Sequence, residues 1–511
     1  MPKVLYDLKM EEIEEKISPV EEKFERIRKT IGFFLGPILF IFLLCLPMPN
    51  LSRNAHYLSA ILGWVVIWWI TEPVPIPITA LLGTTLCVIM GVDTMKKIFA
   101  PFADPIIFLF IGSFIIAKAM MVHRLDRRFA FAILSIPGIG KSSNRILFTL
   151  GIIAVIISMW VSNTATTAML YPIGLGILNT IAHLHSKDVK KLKYSTGLML
   201  IIAYGASVGG IGTPVGTPPN LIGIGMIKQL LNKDITFFRW MLFAIPMVII
   251  MYIILFFLIK LLFPPEFKEL SGIDEYVVRE RESMGKITTG ERNVLIAFLI
   301  TVVLWVFPGV LTLIFGSDAQ CCKWWEAHIP EGLAAIIGAI ILFILPQDYR
   351  ERKGTITWKE AVDIDWGTIL LFGGGLSLGS LMFSTGLAEN IGKGILNLTG
   401  AHSLFSITAI SIMLAIITSE LTSNTASANM VIPIMISLSI AARVNPLIPA
   451  LGACLGSSYG FMLPVSTPPN AIIYGSGYVP ITRMIRAGII FDLLGFLIIL
   501  GGLFLFLPLL G

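Results

Sequence analysis

The chain has 511 residues, of which 55% are hydrophobic and only 14% charged, with a mean hydropathy of +0.84; this excludes a soluble enzyme of that length and leaves a polytopic membrane protein. The formal net charge of +6 is spread over the connections rather than gathered with aromatics on one face, which argues against nucleic-acid binding. The five cysteines (Cys45, Cys87, Cys321, Cys322, Cys454) show no CxxC spacing and the histidines, His183 and His185 included, form no HExxH-like pair, so neither a disulfide framework nor a metal centre is expected.

Met1 to Thr30 is mixed in charge (Glu11, Glu12, Glu14, Glu15, Lys16, Glu21, Glu22, Lys23) and lacks an early apolar core. It reads as a cytoplasmic amphipathic segment, interrupted at Pro19, rather than a signal peptide. Apolar windows place a first span within 31–56, near 31–47, and further spans near 57–71, 77–91, 105–121, 194–212, 238–263, 293–316, 331–346, 366–386, 447–464 and 486–509, about eleven crossings at the usual length of ~20 residues. Two more apolar stretches, 140–183 and 402–443, each carry Ser-Asn-Thr in the middle. A polar turn at that depth predicts a hairpin that enters the membrane and returns to the same side.

Lys and Arg should cluster in alternate, cytoplasmic connections. With a cytoplasmic N-terminus, one side holds Lys23, Arg26, Arg28 and Lys29; Arg124, Arg127 and Arg128; Lys187, Lys190, Lys191 and Lys193; the 264–292 segment; Arg350, Arg352 and Lys353; and Arg483 and Arg486. The opposite side has Arg53 and the 321–325 loop, with Lys228, Lys233 and Arg239 as the exception. Sequons at Asn50 and Asn397 fall on that outer side, but such triplets are too common to assign. Residues 57–263 and 293–511 then form two repeats, each with five crossings and one hairpin, joined by a cytoplasmic linker helix in 264–292. An odd number of crossings inverts the second repeat, so the hairpins enter from opposite faces and their tips meet near the midplane.

The tips are Ser162-Asn163-Thr164 and Ser423-Asn424-Thr425, and each is followed downstream by Thr-Pro-Pro-Asn, at 217–220 and 467–470. Proline removes a backbone donor and clashes with the preceding turn, so both downstream segments predict helices broken at membrane depth. At such breaks one half-helix offers spare carbonyls to a cation, and the next offers free N–H groups to an anion. Ser, Thr and Asn serve either charge without bringing an ionised side chain into the bilayer. A single Ser-Asn-Thr is commonly a cap and a single Pro-Pro a kink; both, in the same order in two halves, point to a transport site.

On these motifs, and on Glu72-Pro73-Val74-Pro75-Ile76-Pro77, the chain from about residue 31 onward resembles the divalent-anion/sodium symporters, the INDY-type di- and tricarboxylate transporters. The resemblance implies an all-α inverted repeat with two re-entrant hairpins, divided into a scaffold and an elevator-type transport domain, in a homodimer. It implies one sodium site at Ser158, Ser162, Asn163 and Gly216, and a second at Ser419, Thr422, Asn424 and Ser466. It further implies a dicarboxylate site at Ser162, Asn163, Thr164, Ser423, Asn424 and Thr425, with Thr217, Pro218, Thr467 and Pro468 beside them. Glu420 is a departure, an acid next to a cation site; it either points into water or alters coupling. Lys118, in the fourth span, reads as a snorkelling or helix-end residue.

The expected function is sodium symport of C4-dicarboxylates (succinate, malate, fumarate) across the cell membrane, with sodium as the coupling ion and no other cofactor. Sodium-independent di/tricarboxylate exchange is the alternative, with sulfate transport behind it. A membrane-embedded enzyme would need a clustered acid, base or nucleophile, and Glu420, Lys118 and Asp492 do not pair in sequence. A channel fits broken hairpins less well than a site that closes on alternate sides.

Overall fold

The computed structural model describes residues 19–185, 190, 192–267, 269–270, 272–348, 350 and 353–510. The charged run at 11–16, and Lys187, Lys191 and Arg352, lie outside the described residues. The chain is helical almost throughout, as its hydropathy demands, because backbone polar groups in an apolar solvent must find partners within the chain. Among the described residues the strands are confined to an antiparallel ribbon, β1 (Pro346–Asp348) with β2 (Lys353–Gly354), in which Pro346 faces Gly354 and Asp348 faces Lys353.

Helix α1 (Pro19–Cys45) runs through residue 30 without a break. It packs against α2 (Arg53–Thr71), which Ser52 caps by accepting the Ala55 N–H. Glu72 then takes a left-handed conformation, φ 49°, and turns the chain into α3 (Ile76–Ile89). The short α4 (Met95–Phe99) leads to α5 (Pro105–Val122) and α6 (Leu125–Leu134).

Helices α7 (Ser143–Ser158) and α8 (Asn163–His185) are joined by a turn at 159–162. Next comes α9 (Lys193–Gly210), a glycine- and proline-rich break, α10 (Pro218–Leu231) and α11 (Phe237–Leu262). Within the linking segment lies α12 (Ile273–Ser283), followed by α13 (Thr289–Phe315), α14 (Gln320–His328), α15 (Glu331–Ile344), the ribbon, α16 (Trp358–Ala361), α17 (Trp366–Ser384) and α18 (Leu387–Thr399). The earlier order then recurs: α19 (Leu404–Leu421), a turn, α20 (Asn424–Ala441), α21 (Leu447–Gly456), a break, α22 (Pro468–Gly475) and α23 (Ile481–Phe506).

The recurrence extends to packing. Helix α9 lies against α7 and α21 against α19, and glycines let the backbones meet: a Cβ on Gly209 would sit 2.3 Å from the Val155 carbonyl oxygen, and one on Gly456 2.9 Å from that of Ile412. Small residues at close crossings are how helices associate where burial from water supplies no force. Tyr204 of α9, fully buried, donates to the Phe461 carbonyl (2.5 Å) and its ring meets Phe461 and Phe491, which pins the two halves together.

Nine described helices are long and apolar enough to cross a membrane, or ten if α14 and α15, bent by 58°, count as one span. The molecule is an integral membrane protein, but the set differs from the windows of the sequence. It includes Asn163–His183, Leu404–Leu421 and Asn424–Ala441 from the hairpin stretches, and leaves out α2, α3, α9 and α21. Helix α3, with 14 residues, nearly fills its window and is short because the window was, whereas α21 has 10 residues because its window, 447–464, ran on through the break that holds Gly460 and Pro464.

Candidate functional site

Helices α8, α10, α20 and α22 start at Asn163, Pro218, Asn424 and Pro468, and all four starts line one cavity of about 640 Å³. Each start follows from its own residues. Ser162 and Ser423 accept the N–H groups of Ala165 (3.3 Å) and Ala426 (3.2 Å) as side-chain caps, and Pro218 and Pro468 occupy first-turn positions where no donor is lost. Thr217 and Thr467 are extended in nearly the same way, φ −145° ψ 142° and φ −146° ψ 145°. Ser162, Asn163, Thr164, Ser423, Asn424, Thr425, Thr217, Pro218, Thr467 and Pro468 all line the cavity. The Thr467 hydroxyl is buried without a partner among the described residues. The N–H groups at the starts of α8 and α20, and the positive dipole ends of all four helices, two of which begin Pro-Pro and offer no N–H there, favour an anion between them.

Behind the tips lie helix C-termini and oxygen. Ser158 Oγ donates to Asn163 Oδ1 (2.6 Å). A Cβ on Gly210 would fall 2.3 Å from Asn163 Oδ1, and one on Gly216 2.5 Å from the Gly210 carbonyl and 2.9 Å from that of Ser158. The second half matches: Ser419 Oγ donates to Asn424 Oδ1 (2.7 Å) and lies 2.9 Å from the Ser457 carbonyl, while a Cβ on Gly460 would meet Ser466, Ser419 and Asn424. Each nest is a set of hard oxygens at spent helix ends, without an acid in the first and with the Glu420 carboxylate behind Ser466 in the second, a donor set that fits a small monovalent cation. The structure thus gathers Ser158, Asn163 and Gly216 in one place and Ser419, Asn424 and Ser466 in another. Thr422 is the outlier, its hydroxyl turned back onto the carbonyls of Thr418 and Ser423.

The last residue of each Thr-Pro-Pro-Asn holds the broken segment in shape. Asn220 Nδ2 donates to the carbonyls of Gly210 (3.0 Å), Ile211 (3.3 Å) and Thr213 (2.7 Å). Asn470 Nδ2 does the same for Gly460 (2.9 Å) and Leu463 (3.1 Å). Both side chains are fully buried. They donate to carbonyls for which the missing helical turns supply no N–H. Sequence reasoning singled out the motif but gave this asparagine no task; its recurrence ten residues after Gly210 and Gly460 was the signal available.

Glu420 does not point into water. It is 2% exposed, and its carboxylate accepts the N–H groups of Met462 (2.8 Å) and Leu463 (3.3 Å) and the Ser466 hydroxyl (2.7 Å). Asp492 of α23, itself buried, lies beside it. Lys118 stands one turn from the end of α5, the expected helix-end position. Its ammonium is 2.6 Å from Asp363 Oδ2, and both residues line the cavity, which the sequence did not suggest. The hydrogen bond from Lys118, together with its charge, holds the Asp363 carboxyl below the usual carboxylate range.

A family model described as the sodium:sulfate symporter transmembrane region matches residues 29–511. The sodium-dependent dicarboxylate transporter SdcS of Staphylococcus saprophyticus is 35% identical over 496 residues, covering 96% of this chain and 93% of that protein. SdcS of Staphylococcus aureus strain MRSA252 is 34% identical over 486 residues, covering 94% and 91%. Among solved structures, the Alcanivorax borkumensis YdaH transporter aligns with a TM-score of 0.54 at 12% identity, covering 81% of this chain and 88% of that one. Neisseria gonorrhoeae MtrF, described with a class of antimetabolite efflux pumps, aligns at 0.55 and 13%, covering 93% and 94%. At such identity these two speak for the fold alone.

Proposed function

The chain belongs to the sodium:sulfate symporter family, and from that premise we propose that it carries C4-dicarboxylates such as succinate, malate or fumarate, driven by sodium. The observation that carries this reading is the convergence of four helix N-termini on one cavity, backed by two oxygen nests at helix C-termini. The dianion sits between the tips, its carboxylates on Ser162, Asn163 and Thr164 and on Ser423, Asn424 and Thr425, with Thr217-Pro218 and Thr467-Pro468 beside them. Sodium, the co-substrate, occupies the nest of Ser158, Ser162, Asn163 and Gly216 and that of Ser419, Thr422, Asn424 and Ser466. Thr422 would contribute through its backbone, its hydroxyl being engaged. Entry of a dianion against a negative interior is opposed by roughly 2.3 kcal/mol per charge per 100 mV, and two or more cations offset it.

The same reading takes 57–263 and 293–511 as inverted repeats, each with one re-entrant hairpin, in about eleven spans. The N-terminus is cytoplasmic, the linker around α12 lies on that side, and the protein works in the cell membrane as a homodimer whose transport domain moves as an elevator against a scaffold. One observation favours a second reading, sodium-independent exchange: the Ser466 hydroxyl of the second nest already donates to Glu420.

Uptake of labelled succinate into proteoliposomes separates the readings. Symport predicts accumulation with an inward sodium gradient and little with potassium in its place. Uptake that ignores sodium and requires internal dicarboxylate would overturn it in favour of exchange, and strong competition by sulfate with none by succinate would overturn the substrate assignment.

A further inference from the structure

We propose that Lys118 is a docking cation on the substrate path: at the mouth of the cavity it exchanges Asp363 for a carboxylate of the passing dianion, and Asp363 reclaims it on release. This rests on the anion-transport reading above. The tips are built from Ser, Asn, Thr and Pro and offer dipoles but no formal charge. Among the described residues that line the cavity, the charged ones are Lys118, Asp363 and Asp365, so Lys118 brings the single full positive charge.

Its two acidic neighbours differ. Asp365 is committed, because it caps α17 by accepting the Thr368 N–H (3.0 Å) and the Thr368 hydroxyl (2.5 Å). Among the described residues, the Asp363 carboxylate holds only the lysine. Its side chain is 75% exposed, whereas that of Lys118 is 25% exposed. An ion pair with one member in water is weak and readily exchanged, while a largely buried stem keeps the ammonium at the cavity wall. Lys118 therefore stays in place, and its counterion is replaceable by another carboxylate of the same chemistry, which is what a C4-dicarboxylate presents.

A plain structural strap between α5 and the loop before α17 would look the same in a static structure, but the two roles respond oppositely to mutation. If Lys118 docks the anion, Lys118→Gln raises the KM for succinate on the membrane face where the mouth opens, by roughly two- to fivefold, and Lys118→Arg keeps it near the unmodified value. Asp363→Asn frees the lysine, lowers that KM by a similar factor and slows release in counterflow. Raising the ionic strength shrinks both shifts. A strap would make both variants fail in the same direction, with the double variant no worse.

The test is initial-rate uptake measured separately from each face in oriented proteoliposomes, with size-exclusion profiles and thermal midpoints showing that each variant is folded. Opposite KM shifts for Lys118→Gln and Asp363→Asn, confined to one face, support the proposal. Shifts of the same sign, or no shift in folded variants, overturn it. If the unmodified protein takes up no succinate, the transport reading itself fails; if it does and the variants match it, only the role of Lys118 falls.

Discussion

The two half-sites share one backbone plan and differ in charge. In the first, Ser158, Asn163, Gly210 and Gly216 make a nest of carbonyl, amide and hydroxyl oxygens without an acid, and backbone carbonyls crowd the Gly216 Cα. In the second, Ser466 stands where Gly216 stands, and a buried carboxylate, Glu420, holds both that hydroxyl and the amides of Met462 and Leu463. Both half-sites keep what the helix breaks require: the capping serines, the prolines at the restart and the asparagine that bonds the carbonyls of the break. They differ in what surrounds the oxygen nest. Equal geometry with an acid on one side alone makes the two nests unlike as the ion sites proposed above, the second having the Ser466 hydroxyl where the first has only the Gly216 backbone.

The sharpest break of this comparison is the shared asparagine. Asn163→Ala and Asn424→Ala each remove a group that lines the cavity and orders the nest, and each is expected to lower the transport rate at least about tenfold in folded protein, as loss of a hydrogen bond to a charged ligand would; rates near the unmodified value in folded protein would refute the tip assignment. Replacing the glycine tests the backbone half alone. Gly216→Ala forces a Cβ to 2.5 Å from the Gly210 carbonyl, a distortion of about 1–3 kcal/mol, and sodium titration of uptake should show a larger loss of apparent sodium affinity than Ser466→Ala produces.

Glu420→Gln probes the charge difference itself. One of the two carboxyl oxygens that accept from Met462, Leu463 and Ser466 becomes an amide NH2 facing those donors, and a fall in stability of about 1–3 kcal/mol is expected, read as a lower thermal midpoint together with altered sodium dependence. An unchanged midpoint and sodium curve would mean that the acid is incidental. The smallest effects should come from the clamps: Asn220→Ala gives up contacts to three carbonyls and Asn470→Ala to two, but Ile211 keeps the Trp240 indole N–H, Thr213 the Gly216 N–H and Leu463 the Ser466 N–H, so the cost stays near about 1 kcal/mol and is somewhat larger for Asn220→Ala. The first variant should therefore melt lower than the second, and the reverse order would show that the number of bonds is not what holds the breaks.

The site was readable in the sequence where its chemistry is local. Ser-Asn-Thr and Thr-Pro-Pro-Asn announce themselves because polar turns and prolines are out of place in apolar runs, and their recurrence marks them as parts of one device. Glu420 was not readable in this way. Its partners are 42 to 46 residues away, and nothing next to it in the chain indicates a ring of donors. The window at 447–464 overran for a related reason: hydropathy averages over residues that a glycine and a proline separate conformationally, so α21 ends at Gly456.

By itself, then, the sequence determined the solvent this protein lives in, the helical character that solvent imposes, and the four points at which helices must break. Those are properties of composition and of a few neighbouring residues. Only the tertiary structure decided that the four restarts face one cavity, that Glu420 turns inward to Ser466, and that Lys118 meets Asp363 across 245 residues of chain. Each of these depends on which helices pack together, and packing is set by the summed fit of distant surfaces, which no local pattern encodes.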